Sequence, residues 1–235
     1  MSPSASPLGL IRAVQRCAAV PFARLDGSPG GQSAIAKQPV QGPVAVGTLG
    51  LQGDEQGNLR SHGGPEKAVH HYAYEHYAAW RAELGDLPVL REPAAFGENL
   101  SSTGVTEADI CWGDQLRIGS VLLEVSQSRQ PCWKLNARFG QPGMARRVQD
   151  SGRTGWYYRV LEPGSLQAGD TIVLVQRPWP QWPLTRVLQL LYHRMLDVQQ
   201  LRELARLPLP QRWITLVEHR LSTGTVEDWG SRIQG

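Results

Sequence analysis

The chain reads as mostly β with α: a closed or partly closed antiparallel β-barrel followed by a small three-helix bundle. Three observations predict this. From Gln41 onward, short apolar runs (VAVGTLGL, AVHHYAY, FGENLSS, DQLRIG, VLLEVSQ and DTIVLVQR) recur evenly between Gly, Pro, Asp and Asn, as in an antiparallel sheet that closes on itself. Glycine at 25 and proline at 17 exceed ordinary usage, which favours turns and short strands over long helices. After the hinge PWPQWP at 178–183, strand alternation gives way to helical spacing, so the boundary is drawn between a barrel over 1–177 and helices over 178–235.

Taken in order, the small polar residues 1–7 are expected to fray. GLIRAVQRC supplies a first strand, and the turn-rich stretch that follows is punctuated by Gly30 and Gly31, with SAIAK as a short extended segment. Gly113-Asp114 before QLRI and Gly169-Asp170 before TIVLV read as tight turns that each open a strand. EHYAAWRAELG spaces Tyr77, Trp80 and Leu84 as a helix and ends at Gly85, the usual residue past a helix terminus. PGMARRVQDSG is a second, weaker helix stopping at Gly152, and both helices are expected to cap openings of the barrel. Beyond the hinge, PLTRVLQLLYHR, DVQQLRELARL and PQRWITLVEHRL are helices of about three turns, too short to stand alone, with starts near Thr185, Asp197 and Pro210. The tail EDWGSRI is expected to fold back through Trp229.

Composition narrows the function. The net charge of +3 comes with no long basic run, which disfavours nucleic acid. No stretch of about 18 apolar residues and no signal peptide appear, so the expectation is a cytoplasmic protein with no membrane partner. The eight tryptophans have no repeat period and read as core anchors rather than a stacking platform. Cysteines at 17, 111 and 132 are odd in number and lack C-x-x-C spacing, so neither a disulfide framework nor a tetrahedral zinc site is indicated.

Of these thiols, Cys132 stands apart. It follows a strand directly, and Arg129 and Lys134 flank it; nearby cations favour the thiolate, which both attacks electrophiles and binds metals. Cys17 and Cys111 read as small buried hydrophobes. A second constellation, residues 49–72, gathers Asp54, His62, Lys67, His70 and His71 with Gly53, Gly57, Gly63 and Gly64. The Gly63-Gly64 turn lets backbone amides approach an anion, and Lys67 adds a point charge for a phosphate. A metal site on His62 and His70 is weakly supported, and His70 and His71 alternate faces of a strand, so at most one serves a site. Glu98 and Asn99 follow a glycine at a strand start, where a satisfied turn and a ligand contact are equally good readings.

SAIAK (33–37), LGLQGDEQ (49–56), HGGPEKAVHHY (62–72), FGENLS (96–101), WGD (112–114), SQSRQPCWKL (126–135), GWYYRV (155–160) and HRLSTGTVEDW (219–229), in this order, resemble the MOSC family and its YiiM-type members. The resemblance covers nearly the whole chain. It implies a β-barrel that binds molybdenum cofactor (molybdopterin carrying Mo), with Cys132 as protein ligand to the metal, and no need for pyridoxal phosphate. It also implies reduction of small-molecule N-hydroxylated substrates such as 6-N-hydroxylaminopurine. A soft thiolate suits such a centre, and Lys67, Arg129, Gly63 and Gly64 are the candidates for the phosphate tail, with Asp54, His62, His70, Glu98, Asn99 and Lys134 completing the cofactor site. Asn58 departs from the aspartate the family pattern often has there.

The chain carries no iron–sulfur, flavin or nicotinamide fingerprint, so the reductase reading requires a separate electron-donating reductase. Two other readings compete. Cys132 as a persulfide carrier delivers sulfur to a metal centre elsewhere, and a plain binding module uses the barrel without chemistry. A homodimer is left open by the sequence.

Overall fold

A computed structural model describes residues 7–235, the side chains of residues 60 and 61 excepted. The fraying expected of the first residues falls, apart from Pro7, outside the described residues. In chain order the strands are β1 (Gly9–Arg16), β2 (Val20–Ala23), β3 (Pro29–Ser33), β4 (Gln38–Pro39), β5 (Val44–Gly47), β6 (Gly50–Leu51) and β7 (Val69–Ala73). They continue as β8 (Leu100–Thr103), β9 (Gln115–Ile118), β10 (Val121–Ser128), β11 (Trp156–Glu162), β12 (Gly164–Leu166) and β13 (Thr171–Gln176). The helices are α1 (Leu59–His62), α2 (Glu75–Leu84), α3 (Lys134–Phe139), α4 (Met144–Ser151), α5 (Leu184–Tyr192), α6 (Val198–Leu204), α7 (Gln211–Thr223) and α8 (Gly230–Ile233).

The barrel runs β13-β9-β10-β11-β7-β8-β1 and closes where Gly9 and Leu10 pair with Ile172 and Thr171. It is mixed, which corrects the antiparallel expectation: β7 and β8 run parallel, with His71 opposite Leu100 and Tyr72 opposite Ser101. The physical reason lies between them. Parallel neighbours need a crossover of a dozen or more residues, and here α2 and the 85–99 segment supply it.

The sequence reading named no strand at β11, yet β11 sits between β10 and β7. Its period is carried by aromatics: Trp156 and Tyr158 are buried in the barrel core with Val69 and Leu100. By alternation, Tyr157 and its register neighbour His70 face outward. SAIAK is also corrected, since β3 ends at Ser33 and residues 34–37 run irregularly to β4.

A second apolar cluster joins Tyr72, Tyr77, Trp80 and Phe96 to Leu135, Phe139, Met144, Val148 and Ile233. α2 and α4 therefore cover the wall face that carries Tyr72, rather than closing the barrel's openings as expected.

α5, α6 and α7 share the barrel's own core through Trp182, Leu184, Leu188, Leu201 and Trp213. Asp197 caps α6 by accepting from the Gln200 amide at 3.1 Å, worth about 1 kcal/mol. Trp213 meets Trp112 at 5.2 Å between ring centroids, and its Nε1 donates to Gln127 Oε1 at 3.3 Å. Buried Arg220 donates to the carbonyls of Leu190 and Leu191 and pairs with Glu227 at 2.8 Å, satisfying the end of α5. Trp229 then packs against both clusters, so the tail does fold back.

Candidate active site

The end of β10 determines where Cys132 stands. Arg129 is held by its amide to Gly155 O at 3.0 Å, and Pro131 brings no amide proton to extend the ladder. The chain turns into α3, with Leu135 N donating to Cys132 O at 3.0 Å and Asn136 N to Trp133 O at 2.8 Å. Cys132 Sγ, largely buried, lies 3.8 Å from His62 Nε2.

The thiol borders a cleft on the outer face of the barrel wall, lined also by Lys37, Asp54, His70, Asn99 and Tyr157. Outward, the cleft continues into a vestibule bounded by the β2–β3 hairpin, Arg212 of α7 and Arg232 of α8. Two glycines let these walls approach. A Cβ on Gly57 would stand 2.0 Å from Gln32 O, and one on Gly30 would stand 2.7 Å from the Trp133 ring.

The charge around Cys132 is cationic. Burial first, then the charges of Lys67, Lys134, Arg129 and Arg212, push the His62 pKa down to about 3, so the imidazole is neutral. Burial, followed by Arg212, lowers Lys67 to about 8, while the charge of Cys132 opposes the shift. Lys134 is lowered by burial, against the same opposing charge, and its Nζ donates to Gln32 O at 2.6 Å.

Under the cleft, one carboxylate organises three chain segments. Asp54 pairs with Lys37, accepts from Cys17 N at 2.9 Å and accepts from Asn99 Nδ2 at 2.8 Å. Asn99 in turn accepts from His70 N at 3.0 Å. Asp54 thus ties β1, the 34–37 segment and the start of β8 together.

Of the residues expected from sequence, the cleft gathers Cys132, Asp54, His62, Lys67, His70, Asn99, Arg129 and Lys134. Four of the residues singled out from sequence stand elsewhere. Glu98 is fully buried and accepts from the amides of Ala94 (2.9 Å) and Phe96 (3.1 Å) and from Tyr77 (2.5 Å) and Ser101 (2.9 Å); it fixes the 94–98 turn and does not face the cleft. Gly63 and Gly64 are absent from the cleft walls, and the Gly63 amide is already donated to Leu59 O. His71 turns inward, bonded to Tyr158 OH at 2.9 Å and Ser102 Oγ at 2.6 Å.

The sequence reading missed Lys37, Tyr157 and Arg212 as cleft residues. Lys37 had a signal, as the last residue of SAIAK. Arg212 had none, because a cation early in a helix is ordinarily solvated. Among the described residues no group of three or more His, Cys, Asp or Glu is placed to hold a metal ion.

Two buried atoms at the cleft, Arg129 Nη1 and His70 Nε2, have no hydrogen-bond partner among the described residues. Unsatisfied buried groups of this kind are rare. Together with a single soft donor and flanking cations, the Arg129 donor fits an anionic group, and His70 Nε2, on a ring kept neutral by burial, is left to accept from a donor on that group.

The MOSC domain matches residues 58–173, and the YiiM-like, 3-alpha helix domain matches 182–224. Protein YiiM of Escherichia coli is 38% identical over 207 residues, covering 88% of this chain and 92% of that one. A protein named Reductase from Gibberella moniliformis is 41% identical over 198 residues, 83% of this chain; those residues span 35% of that longer protein. The crystal structure of YiiM from E. coli superposes with a TM-score of 0.80 at 31% identity, covering 97% of this chain and 100% of that one. YiiM from Geobacillus stearothermophilus gives 0.76 at 29%, covering 91% and 99%. The chain belongs to the MOSC family and is YiiM-like.

Proposed function

We propose that this protein binds molybdenum cofactor at Cys132 and reduces N-hydroxylated compounds of the 6-N-hydroxylaminopurine class. The observation that carries the reading is a largely buried thiol in a cleft that Lys67, Lys134 and Arg129 also line, with a neutral histidine 3.8 Å away. The relative named Reductase supports the class of activity.

Cys132 would be the protein's ligand to the metal, and Lys67, Arg129 and Lys134 would face the anionic tail. When bound, the cofactor supplies a metal centre able to exchange two electrons and an oxygen atom. The chain's own residues do the rest. Asp54, saturated by three donors, holds Asn99 and Lys37 in place rather than moving a proton. Neutral His62 presents an uncharged ring beside the thiol and does not compete for its charge. Lys67, with its proton affinity brought to about 8, holds a proton at Nζ that it can give up near neutral pH.

Converting an N-hydroxyl amine to the amine consumes two electrons and two protons and releases water. The electrons come from a separate reductase, Lys67 delivers one proton and solvent supplies the other. The test is reduction of 6-N-hydroxylaminopurine by cofactor-loaded protein with a chemical electron donor. Formation of the amine by wild type, with loss in Cys132→Ala, supports the reading; equal turnover by both removes it.

The persulfide reading draws on one observation, that Cys132 also borders the outer vestibule, where a sulfur donor can reach it. A mass increase of about 32 daltons on Cys132 in the purified protein would favour it.

A further inference from the structure

The C-terminal segment brackets Cys132. Arg232 Nη1 donates to the carbonyl of Pro131 at 2.5 Å, and the backbone carbonyl of the same Arg232 accepts from Trp133 N at 2.7 Å. One residue of the tail thus holds the peptide groups on both sides of the thiol. The bracket is anchored in turn. Arg232 Nη2 donates to Gln149 Oε1 at 2.6 Å, Asn136 Nδ2 donates to Ile233 O at 2.9 Å, and Ile233 is buried in the second apolar cluster. Gln149 itself is fully buried on α4, so the guanidinium is fixed between an element of the wall and the cysteine loop.

Such a bracket answers a local need. The segment from Arg129 to Trp133 lies between a strand and a helix; Arg129 N still bonds Gly155 O, and the carbonyls of Cys132 and Trp133 accept from Leu135 N and Asn136 N, but the carbonyl of Pro131 and the amide of Trp133 are held by Arg232. A loop held by few hydrogen bonds opens readily, and a metal ligand or nucleophile must be held to within about half an ångström. Residues 225–235 lie beyond both matched domains, and neither match assigns them a role.

We propose that the C-terminal helix α8 is part of the active site, and that Arg232 is the positioning residue that fixes the Cys132 loop. It sets where the thiol stands and does not touch the reacting atoms. The inference rests on Cys132 being the working group of the cleft and is independent of which cofactor or sulfur species the thiol carries.

The test reads accessibility of the thiol in the cofactor-free full chain. Iodoacetamide alkylation at about pH 9.5, where most unperturbed thiols are ionised, reports opening more than titration. The three cysteines are followed separately by peptide mass spectrometry. In Arg232→Ala the Cys132 rate is expected to rise about tenfold, the factor lost with one charge-assisted hydrogen bond. A chain ended after Asp228 should behave likewise, and Arg232→Lys, which keeps a donor, should return most of the protection. Buried Cys111 should stay unreactive and half-buried Cys17 unchanged, as internal references for an intact fold. An unchanged Cys132 rate in both Arg232→Ala and the shortened chain would overturn the proposal. So would equal opening of Cys111, since Arg232 would then hold the fold at large rather than the cysteine loop.

Discussion

Cys132 Sγ and His62 Nε2 face one another at 3.8 Å across the cleft, the thiol supplied by the loop after β10 and the imidazole by the end of α1. Seventy residues of chain separate them, and four cations of the cleft and vestibule act on the imidazole. Burial first, and these charges after it, keep His62 neutral.

The depressed histidines predict an acid-sensitive fold. His62 and His71 are both lowered to about 3, burial being the first cause in each. The unfolded chain binds these protons near pH 6.5 and the folded chain does not. Stability is therefore full above about pH 6.5 and is lost progressively as pH falls toward 3. Urea midpoints at a series of pH values should decline from about pH 6.5 downward. His71→Asn should flatten that decline while lowering the midpoint at neutral pH, because its two hydrogen bonds inside the barrel are disturbed.

Lys67 predicts the alkaline limb of activity. With a proton affinity of about 8, it is protonated at neutral pH and loses its proton as pH rises through that value. Turnover should fall above about pH 8. In Lys67→Met the rate at pH 7 should fall by about a hundredfold, the lower end of general acid catalysis, and the alkaline limb should vanish. A pH–rate profile of the two proteins checks this.

Asp54 predicts a large, non-additive loss of stability. Asp54→Asn leaves Lys37, which is buried, without its counter-charge, and breaking such a pair costs about 3–5 kcal/mol. Lys37→Met in the same chain should recover part of that cost. Guanidinium unfolding of the two single variants and the double variant gives the coupling directly.

Trp213 predicts how the appendage is attached. Its ring meets Trp112 and Gln127 of the barrel, and Trp213→Ala should cost about 3–5 kcal/mol. Hydrogen exchange should quicken in α5, α6 and α7 together, since one shared core serves both parts.

These outcomes also mark how far the sequence could be read. Cys132 was legible because two cations flank it in sequence and remain beside it in space. Asp54, His62, Lys67 and Asn99 were legible as polar residues crowded among glycines. Glu98 was misplaced because a carboxylate after a glycine looks the same whether it binds a ligand or caps its own turn; only its four donors decide. β11 hid because its inward positions are aromatic and its outward ones include Tyr157, which turned out to line the cleft. The parallel β7–β8 pair hid because apolar periodicity carries no strand direction. Arg212 and Arg232 reach the vestibule only through the packing of the helical appendage, a long-range relationship that no local spacing records.

Metal content tests the central claim most directly. Wild type and Cys132→Ala, both produced in a host that makes molybdenum cofactor, would be compared by inductively coupled plasma mass spectrometry. Near-stoichiometric molybdenum in the wild type and its loss from a folded Cys132→Ala is the predicted result. Absence of molybdenum from both, or equal amounts in both, would contradict the role assigned to Cys132.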